Sequence, residues 1–84
     1  MLLFQSPPFK EGGLLYMDRG RVKWYSVALG YGFIIPDDGG TEVFVRQADI
    51  AEGNGFKSLE NGTEVAYQAV RDREGPEAKN VSKV

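Results

Sequence analysis

The sequence predicts an all-β domain: a small, closed, five-stranded antiparallel barrel. Three observations lead there. Short runs of alternating or β-branched and aromatic residues recur along the chain, separated by dense turn signals rich in Gly, Asp, Asn and Pro. No stretch carries the 3.6-residue apolar period of a long helix. With 84 residues, the chain buries only about 60–65% of its unfolded surface, enough for one core and no second layer. Short strands that must hide their edges around one core favour closure.

Taken in order, residues 1–16 combine short apolar runs with Pro7-Pro8 and Gly12-Gly13 and show neither helical nor strand period. They are expected to be an N-terminal extension, disordered or non-native, ahead of a domain at 17–84. Purine-rich codons for Lys10-Glu11-Gly12-Gly13, shortly before Met17, would resemble a ribosome-binding site read in frame, so the native start is expected at Met17. Arg21–Ser26 reads as the first strand and Tyr31–Ile35 as the second, joined by Val27–Gly30. Pro36-Asp37-Asp38-Gly39-Gly40 is a turn: proline presets φ, aspartates tolerate turn geometry and glycines supply positive φ. Glu42–Arg46 is the third strand, Gln47–Ile50 one helical turn, Thr63–Val70 the fourth strand, and Ala78–Val84 the last.

Composition narrows function. There is no cysteine and no histidine, which removes disulfides, thiolate or imidazole metal sites and the usual general base. An enzyme is not expected, nor a metal, a cofactor or a small-molecule substrate. Asp37-Asp38 lacks the spaced oxygen ligands of a calcium loop and reads as a turn. Gly30-x-Gly32 is followed by no crossover helix and is no dinucleotide fingerprint. No apolar run approaches membrane-spanning length, and Met1-Leu2-Leu3-Phe4 lacks a basic leader; the expectation is a cytoplasmic protein with no membrane partner, a monomer or weak dimer. The net charge of −2 does not advertise a polyanion partner, but Arg19, Arg21 and Lys23 cluster before the aromatic stretch and Arg46 closes the second one. Local potential matters more than the total.

The informative stretch is Lys23–Ile35, with Val43–Arg46 behind it. Tyr31 and Phe33 project to one side of the second strand, with Gly30 and Gly32 on the other. A glycine inside a strand marks a tight bend or a close backbone approach, which places the glycines on the inner face of a barrel and the rings on the outer. Val43 and Val45 suit a core and turn Phe44 and Arg46 outward. If the second and third strands pair, Tyr31, Phe33 and Phe44 form one exposed patch with Arg46 at its edge and Trp24 extending it. Such a patch suits unpaired bases, since every base has a π-face. On this reading Trp24, Tyr31, Phe33, Phe44 and Phe56 stack bases, while Lys23 and Arg46 meet phosphates. The alternative is that the rings are simply core.

Gly20-x-Val22-Lys23-Trp24-Tyr25, Gly30-Tyr31-Gly32-Phe33-Ile34, Pro36-Asp37-Asp38-Gly39-Gly40, Val43-Phe44-Val45, Gly55-Phe56-Lys57-Ser58-Leu59 and Gly75-Pro76-x-Ala78-x-Asn80-Val81 together resemble a bacterial cold-shock protein, from about Arg19 to Val84. The resemblance implies an oligonucleotide-binding (OB) barrel, partners in single-stranded RNA and DNA with little sequence preference, a role as RNA chaperone, and binding by Lys23, Trp24, Tyr31, Phe33, Phe44 and Phe56. It also marks departures. Ser26 stands where the family usually has asparagine, Leu29 replaces a lysine, Arg46 a histidine and Gln47 a stacking aromatic, Glu74 adds an acid before Gly75-Pro76, and the loop after Ile50 is one residue longer. Binding weaker than that of a typical member is expected. Leu29 and Gln47 keep a second reading alive, the same barrel used as a protein-interaction or dimerisation module.

Overall fold

The structure, a computed structural model, describes residues 17–51 and 59–84. The expectations for residues 1–16, for the loop after Ile50 and for Phe56 lie outside the described residues. The chain forms β1 (Asp18–Ser26), β2 (Tyr31–Pro36), β3 (Val43–Arg46), a 3-10 turn at Gln47–Asp49, β4 (Glu64–Asp72) and β5 (Gly75–Lys83). They close into a barrel in the order β1-β2-β3-β5-β4. The five expected strands are all present. Two begin earlier than the alternation suggests, because each finds a partner there. Asp18–Arg21 pairs with Tyr67–Glu64 of β4, and Gly75 opens a tight hairpin opposite Asp72. One seam differs from the all-antiparallel expectation: β3 meets β5 in parallel, with Phe44 opposite Glu77, and Ile50 bridges Val81 in the same sense.

The core follows from the two-residue period. Val22, Ile34, Val43, Val45, Ile50, Leu59, Val65, Tyr67, Ala78 and Val81 are buried together. Two irregularities in the ladders put them there. Ala78 and Val81 are three residues apart and a regular strand would send them to opposite faces; the register shift opposite Ala66–Gln68 and the left-handed Asn80 at φ 53° absorb the odd residue and turn both inward. The second irregularity lies between Val22 and Trp24 in β1, where Val22 pairs with Ile34 but Trp24 with Phe33.

Tyr67 is a large buried phenol, 1% exposed, lining a hollow of about 430 Å³ at one barrel end with Asp18, Asp37 and Asp38. Burial, and then the carboxylates of Asp18, Asp38 and Asp37, push its pKa up to about 12 from 10. The sign follows directly: above pH 10 the unfolded chain ionises this phenol while the folded chain resists until about pH 12, so stability is lost across that window. Two units correspond to about 2–3 kcal/mol. Denaturant unfolding of the native chain and of Tyr67→Phe between pH 9 and 12 is expected to show that the variant loses that part of the alkaline slope.

Candidate nucleic-acid interface

The outer face of β1–β2–β3 is built by pairing. Antiparallel register sets Phe33 opposite Phe44 and Tyr31 opposite Arg46. Val43 and Val45 are buried beneath, so Phe44 turns outward, half-buried. Trp24 reaches the same face only through the bulge at Lys23. Strict alternation would turn Trp24 inward with Val22; the extra residue moves it beside Phe33 and carries Tyr25 to the inner side opposite Gly32. The Tyr25 ring packs against the core, and burial raises its pKa from 10.

Gly32 is required by this arrangement. A Cβ there would run into the Trp24 carbonyl oxygen and lie 2.7 Å from the Tyr25 Cα. Gly30 does something different from its expected place on the inner face. It sits in the β1–β2 turn at φ +79° with open space around it, and its amide donates to the Ser26 carbonyl at 2.7 Å. The Ser26 hydroxyl oxygen accepts from the Leu29 amide at 3.0 Å, so Ser26 closes the turn that feeds Tyr31 into β2.

The rings form one contiguous surface. Trp24 lies 5.7 Å from Tyr31 and 6.0 Å from Phe33. Phe44 lies 5.4 Å from Tyr31 and 5.6 Å from Phe33. The Phe33 ring stands at 62–88° to those of Trp24, Tyr31 and Phe44, the edge-to-face contact that aromatic quadrupoles favour. Four of the five expected stacking residues are thus assembled on one side of the barrel, and all four are half-buried rather than core.

The cations are less free than the sequence suggests. Arg46 carries its guanidinium 5.2 Å over the Phe44 ring and pairs with Glu77 at 3.1 Å. Lys23, on the bulge, pairs with Glu42 at 2.8 Å, and Arg21 with Glu64 at 3.2 Å. The Lys23–Glu42 and Arg21–Glu64 pairs are exposed and worth about 0–1 kcal/mol each, whereas in the Arg46–Glu77 pair the acid is sheltered. Beside the rings, Phe33, Phe44, Arg46, Glu74, Gly75, Pro76 and Glu77 line a hollow of about 270 Å³. Glu42 and Glu77 were not legible as site residues; the only hint was that each occupies a strand flank next to an outward-facing ring or cation. Val27 and Leu29, at the tip of the β1–β2 turn, are 54% and 63% exposed.

Among the described residues no helix is long and apolar enough to cross a membrane, and no group of three or more His, Cys, Asp or Glu is placed to hold a metal ion.

Comparison with known proteins agrees with this geometry. A family model described as the 'Cold-shock' DNA-binding domain matches residues 18–84. The chain is 50% identical over 68 residues to cold shock protein CspB of Geobacillus stearothermophilus, covering 81% of this chain and 100% of that protein. It is 47% identical over 68 residues to cold shock protein CspD of Bacillus subtilis (strain 168), with the same coverage of 81% and 100%. It is also 43% identical over 75 residues to the protein lin-28 homolog of Drosophila melanogaster, covering 89% of this chain and 37% of that one. Among solved structures, Drosophila Unr CSD456 shares the fold at a TM-score of 0.66 and 12% identity, over 81% of this chain and 26% of that one. With its five-stranded barrel, its outward rings and these relatives, the chain belongs to the cold-shock domain family.

Proposed function

We propose that the chain binds single-stranded RNA and DNA by stacking unpaired bases on Trp24, Tyr31, Phe33 and Phe44, with Phe56 a further stacking residue on the strength of the resemblance. It acts by binding rather than by catalysis, in the cytoplasm, as an RNA chaperone or cold-shock-type regulator. The observation that supports this most is the contiguous four-ring surface on the outer face of β1–β3. Large rings left half-exposed in one patch stabilise a domain less than buried ones would, whereas each base stacked on such a ring contributes about 1–3 kcal/mol. Lys23 supplies a phosphate contact after releasing Glu42, and Arg46 extends the stacking plane over Phe44.

A short pyrimidine-rich single strand is expected to bind at low salt and to quench Trp24 emission. Each neutralised phosphate contributes about −0.7 to the slope of log affinity against log salt. With its rim cations already paired, the protein should show a slope of only about −1 to −2. The exposed Val27 and Leu29 favour one rival, a barrel that dimerises or docks a partner through the edge of the same face. Unchanged emission at low salt, together with concentration-dependent self-association in sedimentation, would decide for it.

A further inference from the structure

The hollow beside the rings is walled on one side by the charged side chains of Arg46 and Glu77. Stacking is tolerant, because all bases present a π-face. Selectivity requires groups aimed at base edges. Glu77 has that position. It lies directly opposite Phe44 in the parallel β3–β5 register and lines the hollow with Phe33 and Phe44. Its side chain is only 15% exposed and is paired with Arg46 at 3.1 Å; Lys79, which pairs with Asp49 at 3.4 Å, stands 3.8 Å away. A carboxylate accepts hydrogen bonds at two oxygens with about four lone-pair sites, so the Arg46 pairing fixes its direction and leaves acceptor capacity. Beside it, the Arg46 guanidinium is steadied over Phe44 and offers donors only.

A base lying on Phe33 and Phe44 with its edge toward this wall meets a two-oxygen acceptor next to a donor. Guanine matches that pattern, with adjacent N1–H and N2–H donors on its Watson–Crick edge and the O6 acceptor next to them. Cytosine and adenine offer one amino donor beside a ring-nitrogen acceptor. Uracil and thymine flank their single N3–H with two carbonyl oxygens, which a carboxylate repels. Two parallel charge-assisted bonds formed at a partly desolvated acid are the strong kind, and a site built to accept N–H groups discriminates against bases that lack them.

We propose that Glu77, positioned by Arg46, reads the base edge and gives one position on this surface a preference for guanine over uracil or thymine. The proposal rests on the nucleic-acid-binding reading above. Glu77 at the same time withholds Arg46 from phosphates, so its loss should affect guanine-containing and guanine-free strands in opposite senses.

The test is a titration of the full chain with thymidine hexamers carrying a single guanine at each position in turn, beside the all-thymidine hexamer and hexamers with hypoxanthine, which lacks the N2 amine. One guanine position is expected to bind about tenfold tighter than thymidine, with hypoxanthine weaker than guanine there. Glu77→Ala and the isosteric Glu77→Gln, both checked for folding by circular dichroism, should shrink the ratio, with thymidine binding slightly tighter as Arg46 is released. A merely structural Glu77 would weaken all strands by one factor, which overturns the proposal. Equal affinity of the native chain for every hexamer overturns it too and leaves the binding reading intact. If no hexamer binds at low salt, both readings fall.

Discussion

Phe33→Ala is expected to weaken single-strand binding by about 1–3 kcal/mol while the barrel stays folded. The reasoning depends on where the ring is. Phe33 stands on β2 with its outward neighbours Trp24, Tyr31 and Phe44 at 6.0, 6.4 and 5.6 Å, while the apolar centre is filled from the other face by Ile34, Val43 and Val45. Truncation therefore removes edge contacts, each at the low end of about 0.5–1.5 kcal/mol because the rings stay half-exposed, without opening a cavity beneath. The stability loss should be about 1–2 kcal/mol, well short of the roughly 3–5 kcal/mol that a core phenylalanine would cost. Affinity and unfolding free energy measured on the same variant separate the two: a large fall in stability with unchanged affinity would make Phe33 core and not platform.

Gly32→Ala should do the reverse and cost the fold. A methyl at this position meets the Trp24 carbonyl oxygen and comes within 2.7 Å of the Tyr25 Cα. Both are backbone atoms of the strand hydrogen-bonded to β2, so neither can rotate away as a flexible side chain would. Relief requires β1 and β2 to separate at the bulge that places Trp24. A loss of about 3 kcal/mol or more is expected, against a total stability that small domains rarely carry in excess. Chemical denaturation of Gly32→Ala measures it directly. A midpoint within about 0.5 kcal/mol of the native value would show that β1 does not press on β2 here.

These variants also show what the sequence contained. The strands, the turn at Pro36–Gly40 and the inward valines of β3 were legible because alternation and turn chemistry are local. Gly32 was legible as well, since a glycine inside an apolar strand points to a bend or a closely approaching backbone. The route that brings Trp24 to the platform was not. Val22 and Trp24 have the same parity, and only a bulge in the pairing with Ile34 and Phe33 separates their faces; that is a property of two strands together. Gly30, grouped with Gly32, belongs to the turn and serves its positive φ. The acidic partners Glu42 and Glu77 were hidden for a similar reason. Glu77 reaches Arg46 through a parallel pairing of β3 with β5, a contact between segments about thirty residues apart that no local pattern encodes. The aromatic surface was thus readable from residues, and its electrostatics only from the closed barrel.

That closure changes what weak binding means. The resemblance suggested a rim thinned by Leu29, Gln47 and Glu74. The structure adds that the remaining cations, Lys23 and Arg46, already hold carboxylates at 2.8 and 3.1 Å. On the proposed reading phosphates would have to exchange with Glu42 and Glu77, so stacking would carry most of the affinity.

Binding of this kind depends on Trp24, Tyr31, Phe33 and Phe44 forming one open stacking surface. Trp24 is the only tryptophan and stands within it, so its fluorescence titrated with a short pyrimidine-rich single strand reports on that surface without any label. Saturable quenching at low salt, absent with the same sequence as a duplex and weakened in Phe33→Ala, is the predicted result. Emission unchanged by the single strand at low salt would contradict it.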